Sequence, residues 1–156
     1  MLGLEEFPIG DIAMALQDQT DCEYFHLVDP RTGEMGLWTE DGGIDGRNPV
    51  DLDDVDLIVI APLPSHVWYE DMADFAAGVS DERAKTRLEK AIRGKGAFRR
   101  FRNELHDGFP ELVSIWNTFN DNRATRRAVE WLAGHSLVDE RSADRFAAEH
   151  PDPDLP

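Results

Sequence analysis

The stretch Arg93-Gly94-Lys95-Gly96-Ala97-Phe98-Arg99-Arg100 is the part of the chain best suited to chemistry. Two glycines flank a lysine directly before a predicted helix start. Exposed backbone N–H groups and the helix dipole at such a place favour an anion. Arg99 and Arg100 add planar donors that can hold phosphate or carboxylate through two hydrogen bonds at once. The spacing is not that of a phosphate loop, which needs Gly-x4-Gly-Lys-Ser/Thr after a strand, so these residues do not point to ATP or GTP hydrolysis. The candidate anion-binding set is Arg93, Lys95, Arg99 and Arg100, with Arg127 added if its helix lies alongside. The competing reading is a tight turn between two helices, whose glycines allow the bend and whose arginines pair with nearby acids.

Other chemistry is weaker. His66 and Glu70 are four residues apart and share a face of a predicted helix, which suits an acid–base couple or two metal ligands. Two ligands are too few, and His26, His106, His135 and His150 have no matching spacing. Asp41, Asp45 and Gly46 imitate the start of a calcium loop, but Gly43 and Leu52 fall where a ligand and a bidentate glutamate are required. Cys22 is the lone cysteine, so no disulfide can form within the chain, and no base signature surrounds it. No catalytic residue, metal or cofactor is assigned. Arg123, Arg126 and Arg127 line a long predicted helix and either extend the positive patch or pair with local acids. The Trp and Phe residues recur at helical spacing and read as core. Phe98 and Phe101 fall on one apolar face, which argues against a base-stacking platform.

The charge is unevenly spread. Arg83 to Arg102 holds nine basic residues and one acid, Glu89, a net of +8, while the remainder of the chain carries −24 and the whole −16. The overall field repels nucleic acid, anionic membranes and free nucleotides at long range. The basic segment is an internal latch against the protein's own acids, a surface for an external anionic partner, or a solvated face. Arginine outnumbers lysine 13 to 3 and aspartate outnumbers glutamate 19 to 13, which suit a GC-rich genome and a salty cytoplasm.

These residues need a scaffold. The 156 residues fit one domain able to bury a core without a disulfide or metal. No run of 18 apolar residues exists, and Met1 to Gly10 carries Glu5 and Glu6 but no cation, so neither a membrane span nor a secretory signal is expected and a cytoplasmic location is. Asp11 to Gln19 reads as a helix capped by Asp11. Tyr24–Val28 and Met35–Thr39 read as a hairpin around Pro30 and Gly33. Glu40 to Asp56 is an acidic loop, and Val55–Ile60 a third strand ended by Pro62 and Pro64. Helices are expected from Ser65 as cap to Val79, with Trp68, Met72, Phe75, Ala76 and Val79 inward; from Ser80 as cap to Ile92; from Ala97 to Leu105; from Phe109-Pro110 through Leu112, Ile115, Trp116, Phe119, Ala128, Trp131 and Leu132 to Gly134, with a break near Asn120–Asn122; and from Glu140 to Ala148. The fold class is therefore α+β: a small antiparallel sheet, hairpin plus one strand, packed against a C-terminal bundle of about four helices. Residues 1–150 form one domain, with 1–61 its sheet part and 62–150 its helical part, and the Pro- and Asp-rich residues 151–156 form a disordered tail.

Three blocks resemble an uncharacterised family of small bacterial proteins, uncharacterised protein family 0158. They are Pro62-Leu63-Pro64-Ser65-His66, then Ala91-Ile92-Arg93-Gly94-Lys95-Gly96-Ala97-Phe98-Arg99-Arg100-Phe101, then Trp116, Phe119, Arg123, Arg127, Trp131 and Leu132. Their order matches over Pro62 to Leu132, and the resemblance implies a bacterial origin and a shared fold. It transfers no reaction and no catalytic residue.

Three functions are compatible with this reading. The leading one is a non-enzymatic binding or regulatory module whose basic helix–turn–helix receives an acidic protein segment, RNA or a phosphorylated metabolite. The others are an enzyme acting on an anionic, phosphorylated substrate through His66, Glu70 and nearby arginines, and a structural homodimer joining the basic segment of one copy to the acidic loop of the next. The leading reading predicts that reversing Arg99 and Arg100 to glutamate removes anion binding without unfolding the chain.

Overall fold

A computed structural model describes residues 1–19 and 24–156 of the chain. Cys22 lies outside the described residues. The fold is α+β, with a three-stranded antiparallel sheet and a larger share of helix. The described residues cluster into two compact units.

The first unit comprises Met1–Leu63 and Ala124–His150. Helix α1 spans Ile9–Gln17 and buries Ile12, Ala13, Ala15 and Leu16. It starts two residues earlier than Asp11 because Pro8 supplies the cap position, its carbonyl accepting from the Ile12 amide at 3.0 Å. Asp11 sits in the first turn, where its charge favours the dipole instead of capping. Strands β1 (Tyr24–Val28) and β2 (Met35–Thr39) form the expected hairpin, in register from Tyr24 opposite Thr39 to Val28 opposite Met35. The turn closes through the Asp29 amide to the Glu34 carbonyl at 2.8 Å. Gly33 is required there, because its φ is +80° and a Cβ would lie 2.1 Å from the Glu6 carbonyl oxygen.

Strand β3 is shorter than the apolar run predicts. Only Ile58–Ile60 pairs, on the free side of β1, giving the order β2-β1-β3. Leu52–Asp54 coils into a 3-10 turn, and the Val55 amide bonds back to Leu52 at 3.2 Å, so the preceding backbone is spent locally. Leu27, Val28 and Ile60 are buried. The C-terminal part of a long helix, α5 (Val113–Gly134), and helix α6 (Glu140–Glu149) complete this unit. Helix α6 is capped by Asp139, whose carboxylate accepts from the Arg141 amide at 3.1 Å.

The second unit comprises Pro64–Arg123 and Pro151–Pro156. It holds α2 (Ser65–Gly78), α3 (Glu82–Ala91), α4 (Ala97–Gly108), a 3-10 turn at Pro110–Leu112 and the first part of α5. Its core gathers the expected stripes: Met72, Phe75, Ala76 and Val79 with Leu88, Ile92, Phe101, Leu105, Leu112 and Phe119. Phe75 is the hub. Its ring meets Trp116 at 5.2 Å, Phe119 at 5.4 Å and Phe101 at 6.2 Å, all edge to face. That geometry adds about 0.5–1.5 kcal/mol per pair beyond the burial itself.

Several boundaries differ from expectation for identifiable reasons. Pro64 takes the cap position of α2, and Ser65 becomes its first helical residue with no side-chain cap bond. Asp81, not Ser80, caps α3, accepting from the Arg83 amide at 3.0 Å. The Ser80 amide is committed elsewhere, to the Pro156 carbonyl at 2.7 Å. Helix α5 runs unbroken through Asn120–Asn122 for 22 residues. Residues 151–156, expected to be disordered, make defined contacts. Besides the Ser80 bond, Asn122 Nδ2 donates to the Pro151 carbonyl at 2.9 Å, and Leu155 packs on the core and over Gly78.

Candidate functional site

The basic segment spans α3, the Gly94–Gly96 elbow and the first turns of α4. Gly94 and Gly96 have φ of +80° and +75°, the left-handed region where glycine carries no Cβ penalty. Two such residues in three let the chain leave α3 and enter α4 almost at once. The bend leaves carbonyl oxygens at the end of α3 and in the elbow without helical partners.

Arg100 answers those carbonyls. Its Nε donates to the Ala91 carbonyl at 2.8 Å, and its two terminal nitrogens donate to the carbonyls of Lys95 and Arg93. One guanidinium thus fastens the end of α3 and the elbow to α4. This is neither of the roles expected for Arg100. Its donors face backbone oxygens instead of a ligand or a carboxylate. The prediction that reversing both Arg99 and Arg100 spares the fold therefore does not carry over to Arg100, because a carboxylate there would meet three carbonyl dipoles end on.

The other candidates are placed differently. Arg93, Lys95 and Arg99 are exposed around the elbow. Among the described residues, no carboxylate pairs with any of them. Among the described residues, the one cation of Arg83–Arg102 in an ion pair is Arg87, whose Nε meets Glu104 Oε1. Arg83 and Arg87 also lie over the Phe109 ring, at 5.6 and 5.5 Å from its centroid. Arg93, Lys95, Arg99 and Arg102 are thus exposed, whereas Arg87 and Arg100 are engaged within the protein. Between α3 and α4 lies a cleft of about 470 Å³, lined by Arg87, Lys90, Ala91, Arg100, Asn103 and Glu104. That volume falls within the range of about 300–1,000 Å³ usual for small-molecule sites. Arg127 is half-buried on the part of α5 that belongs to the first unit, so the fifth member of the set is not in the unit that carries the other four.

Latching does occur, one helix further on. Arg123 Nη1 bonds Asp71 Oδ1 at 3.1 Å and Asp74 Oδ2 at 2.6 Å, and its Nη2 bonds Asp152 Oδ2 at 2.9 Å. Asp71 is fully buried and Arg123 partly so, with its guanidinium 4.4 Å from the Phe119 centroid. Burial presses the pKa of this guanidinium down, but the hydrogen bonds to Asp152, Asp74 and Asp71 outweigh it and hold the value above the ordinary one. Arg126 donates to the His150 carbonyl at 3.3 Å. The expected pairing with local acids thus describes Arg123.

Elsewhere, His66 and Glu70 are both exposed and do not form an ion pair. Asp45 accepts from the Arg47 and Asn48 amides and from Asn48 Nδ2, each at 2.8 Å, and these bonds, that of Arg47 foremost, hold its carboxyl below the usual aspartate range. Its oxygens close a turn, which accounts for the calcium-loop resemblance. Sequence reasoning missed one polar cluster. Tyr24 Oη donates to Asp18 Oδ2 at 2.8 Å, and His26 Nε2 lies 3.0 Å from the same oxygen. Tyr24 and His26 are two residues apart on β1, but Asp18 lies just past the end of α1, so no helical or strand spacing links Asp18 to its partners.

A family model matches residues 47–145, more than half of the chain, and encloses the Pro62–Leu132 resemblance. No curated protein and no solved structure matches it. The matched region runs from the acidic loop through both helices of the basic elbow and most of α6. On that coverage the chain belongs to the Uncharacterised protein family (UPF0158).

Proposed function

We propose that the chain is a binding module, not an enzyme, and that the elbow between α3 and α4 receives an anionic partner. One observation carries this reading: within a +8 segment of an acidic protein, Arg93, Lys95, Arg99 and Arg102 are exposed and unpaired with any carboxylate among the described residues. Arg100 supports it indirectly. By satisfying the elbow's carbonyls, it removes the negative dipole ends that would otherwise repel an anion. The adjoining cleft offers Lys90 and Asn103 as further donors, while Glu104 is neutralised by Arg87.

The test is calorimetry with pyrophosphate, a polyglutamate peptide and a short single-stranded RNA, each at low and high salt. The double variant Arg93→Glu/Arg99→Glu leaves the Arg100 contacts in place and should keep its melting temperature. Binding of at least one probe, lost in this variant and weakened by salt, is the expected result. Failure of all three probes to bind the native chain overturns the proposal.

A further inference from the structure

We infer that the exposed face of α4 bearing Phe98, Arg99 and Arg102 is a platform for single-stranded nucleic acid, with a base stacked on Phe98 and phosphates held by the flanking arginines. The inference rests on the elbow being an anion-binding surface and names the anion.

The decisive observation is where Phe98 points. Helical periodicity places it on the inward face with Phe101. In the structure Phe101 is 1% exposed and buried in the core, whereas Phe98 is 46% exposed. At about 100° per residue, Phe98 lies on the margin of the buried stripe, about 40° from Arg102, with Arg99 about 60° further round. The face so formed reads Phe98, Arg99, Arg102, Asn103 and His106. The acids of α4, Glu104 and Asp107, lie roughly 140° or more round the helix from Arg102. Among the described residues, no aromatic ring and no guanidinium covers the Phe98 ring. It is a bare π-face beside two guanidinium groups that pair with no carboxylate among the described residues, continued past the elbow by Lys95 and Arg93.

That combination selects among anions. Pyrophosphate or an acidic peptide would use the cations but give the phenyl ring nothing flat to meet. A single strand alternates phosphates with bases free to stack, which is the pattern of this face. A duplex keeps its bases stacked inside and cannot use the ring. The net charge of −16 opposes long-range attraction, so binding must come from short-range contacts made together.

The test uses fluorescence anisotropy of a labelled single-stranded RNA of about 12 nucleotides. Comparison probes are the matching DNA strand, the RNA duplex, pyrophosphate and a polyglutamate peptide. Proteins are the native chain, Phe98→Ala, Phe98→Leu and Arg99→Glu, each checked by melting temperature. The single strand should bind the native chain, and both Phe98 variants should weaken it by about 5- to 150-fold, the cost of one lost stacking contact. Phe98→Leu keeps an apolar side chain, so a loss shared by both variants reports the ring. Arg99→Glu should reduce the slope of log affinity against log salt by about 0.7, one phosphate contact on a single strand. If the strand binds but both Phe98 variants bind equally well, or if the duplex binds as tightly, the platform is wrong and the anion surface stands. If only pyrophosphate or the peptide binds, the nucleic-acid reading is wrong and the surface again stands. If nothing anionic binds, both fall.

Discussion

Replacing Arg123 by methionine should be among the most damaging single changes in the chain. Its guanidinium is shared among three carboxylates, and the three are not equivalent. Asp74 is 57% exposed, so its share is that of a surface pair, about 0–1 kcal/mol. Asp152 is partly exposed and intermediate. Asp71 is fully buried, and removing its cation leaves a charge with nowhere to go, a loss of about 3–5 kcal/mol for a buried pair. The lower end applies because Asp71 keeps a further interaction. A cost of about 3 kcal/mol corresponds to a melting temperature lowered by roughly 6–12 °C in a chain of this size. Urea denaturation of Arg123→Met, Asp71→Asn and the double variant separates the causes. If a stranded charge is responsible, the double variant is less damaged than the sum of the singles by at least about 1 kcal/mol. A strictly additive cycle, or a loss below about 1 kcal/mol for Arg123→Met, refutes the argument. Asp74→Asn, as the internal control, should change little.

Two further outcomes follow from the same reasoning. Arg100→Ala should cost about 1–3 kcal/mol by urea denaturation, because the Ala91, Arg93 and Lys95 carbonyls lose a charged donor although water can reach part of the site. Arg100→Lys, with one compact ammonium in place of a fork, should recover only part of it, whereas Arg99→Ala should be close to neutral. Strong acid should weaken two turns. The Arg31 amide and then its side chain hold the Asp29 carboxyl below its ordinary pKa, as the Arg47 amide does for Asp45. Carboxylates of that kind contribute stability above the unfolded-state pKa of about 3.9, and the contribution disappears as pH falls through the lower folded value. Carboxyl carbon NMR should find both midpoints below about 3.9, and Asp45→Asn should remove one of them.

What the sequence made legible was whatever depends on short-range periodicity. The hairpin strands match their expected bounds because Pro30 and Gly33 fix the turn between them. The inward stripes of α2 and α4 follow the helical repeat. Misreadings cluster where two local rules compete. Pro8 and Pro64 each take a cap position from a polar neighbour. Phe98 has the right period for the core but sits at its margin, which a period alone cannot distinguish from its centre. Asn120–Asn122 suggest a break in α5, but their weak helix preference yields to the packing of Trp116 and Phe119 on Phe75. The Asp71–Arg123–Asp152 node was hidden for a different reason. Its members are 52 and 29 residues apart, and nothing in composition distinguishes a buried aspartate from eighteen others. Likewise, Arg99 and Arg100 are identical letters side by side, and only the backbone path through Gly94 and Gly96 decides that one is a structural clasp and its neighbour is displayed.

The way the chain divides has a practical side. Residues 64–123 and 151–156 make one compact unit, and 1–63 with 124–150 the other, so the polypeptide visits each twice. Neither can be released by a single cut. A fragment ending near residue 123 would forfeit Asp152 and Leu155, and one ending near residue 63 would forfeit the helices that return later. Limited proteolysis should therefore yield either the intact chain or small peptides, with no durable half. For the same reason, displacing residues 151–156 would free the amide of Ser80, one residue before the cap of α3, the helix that leads into the elbow.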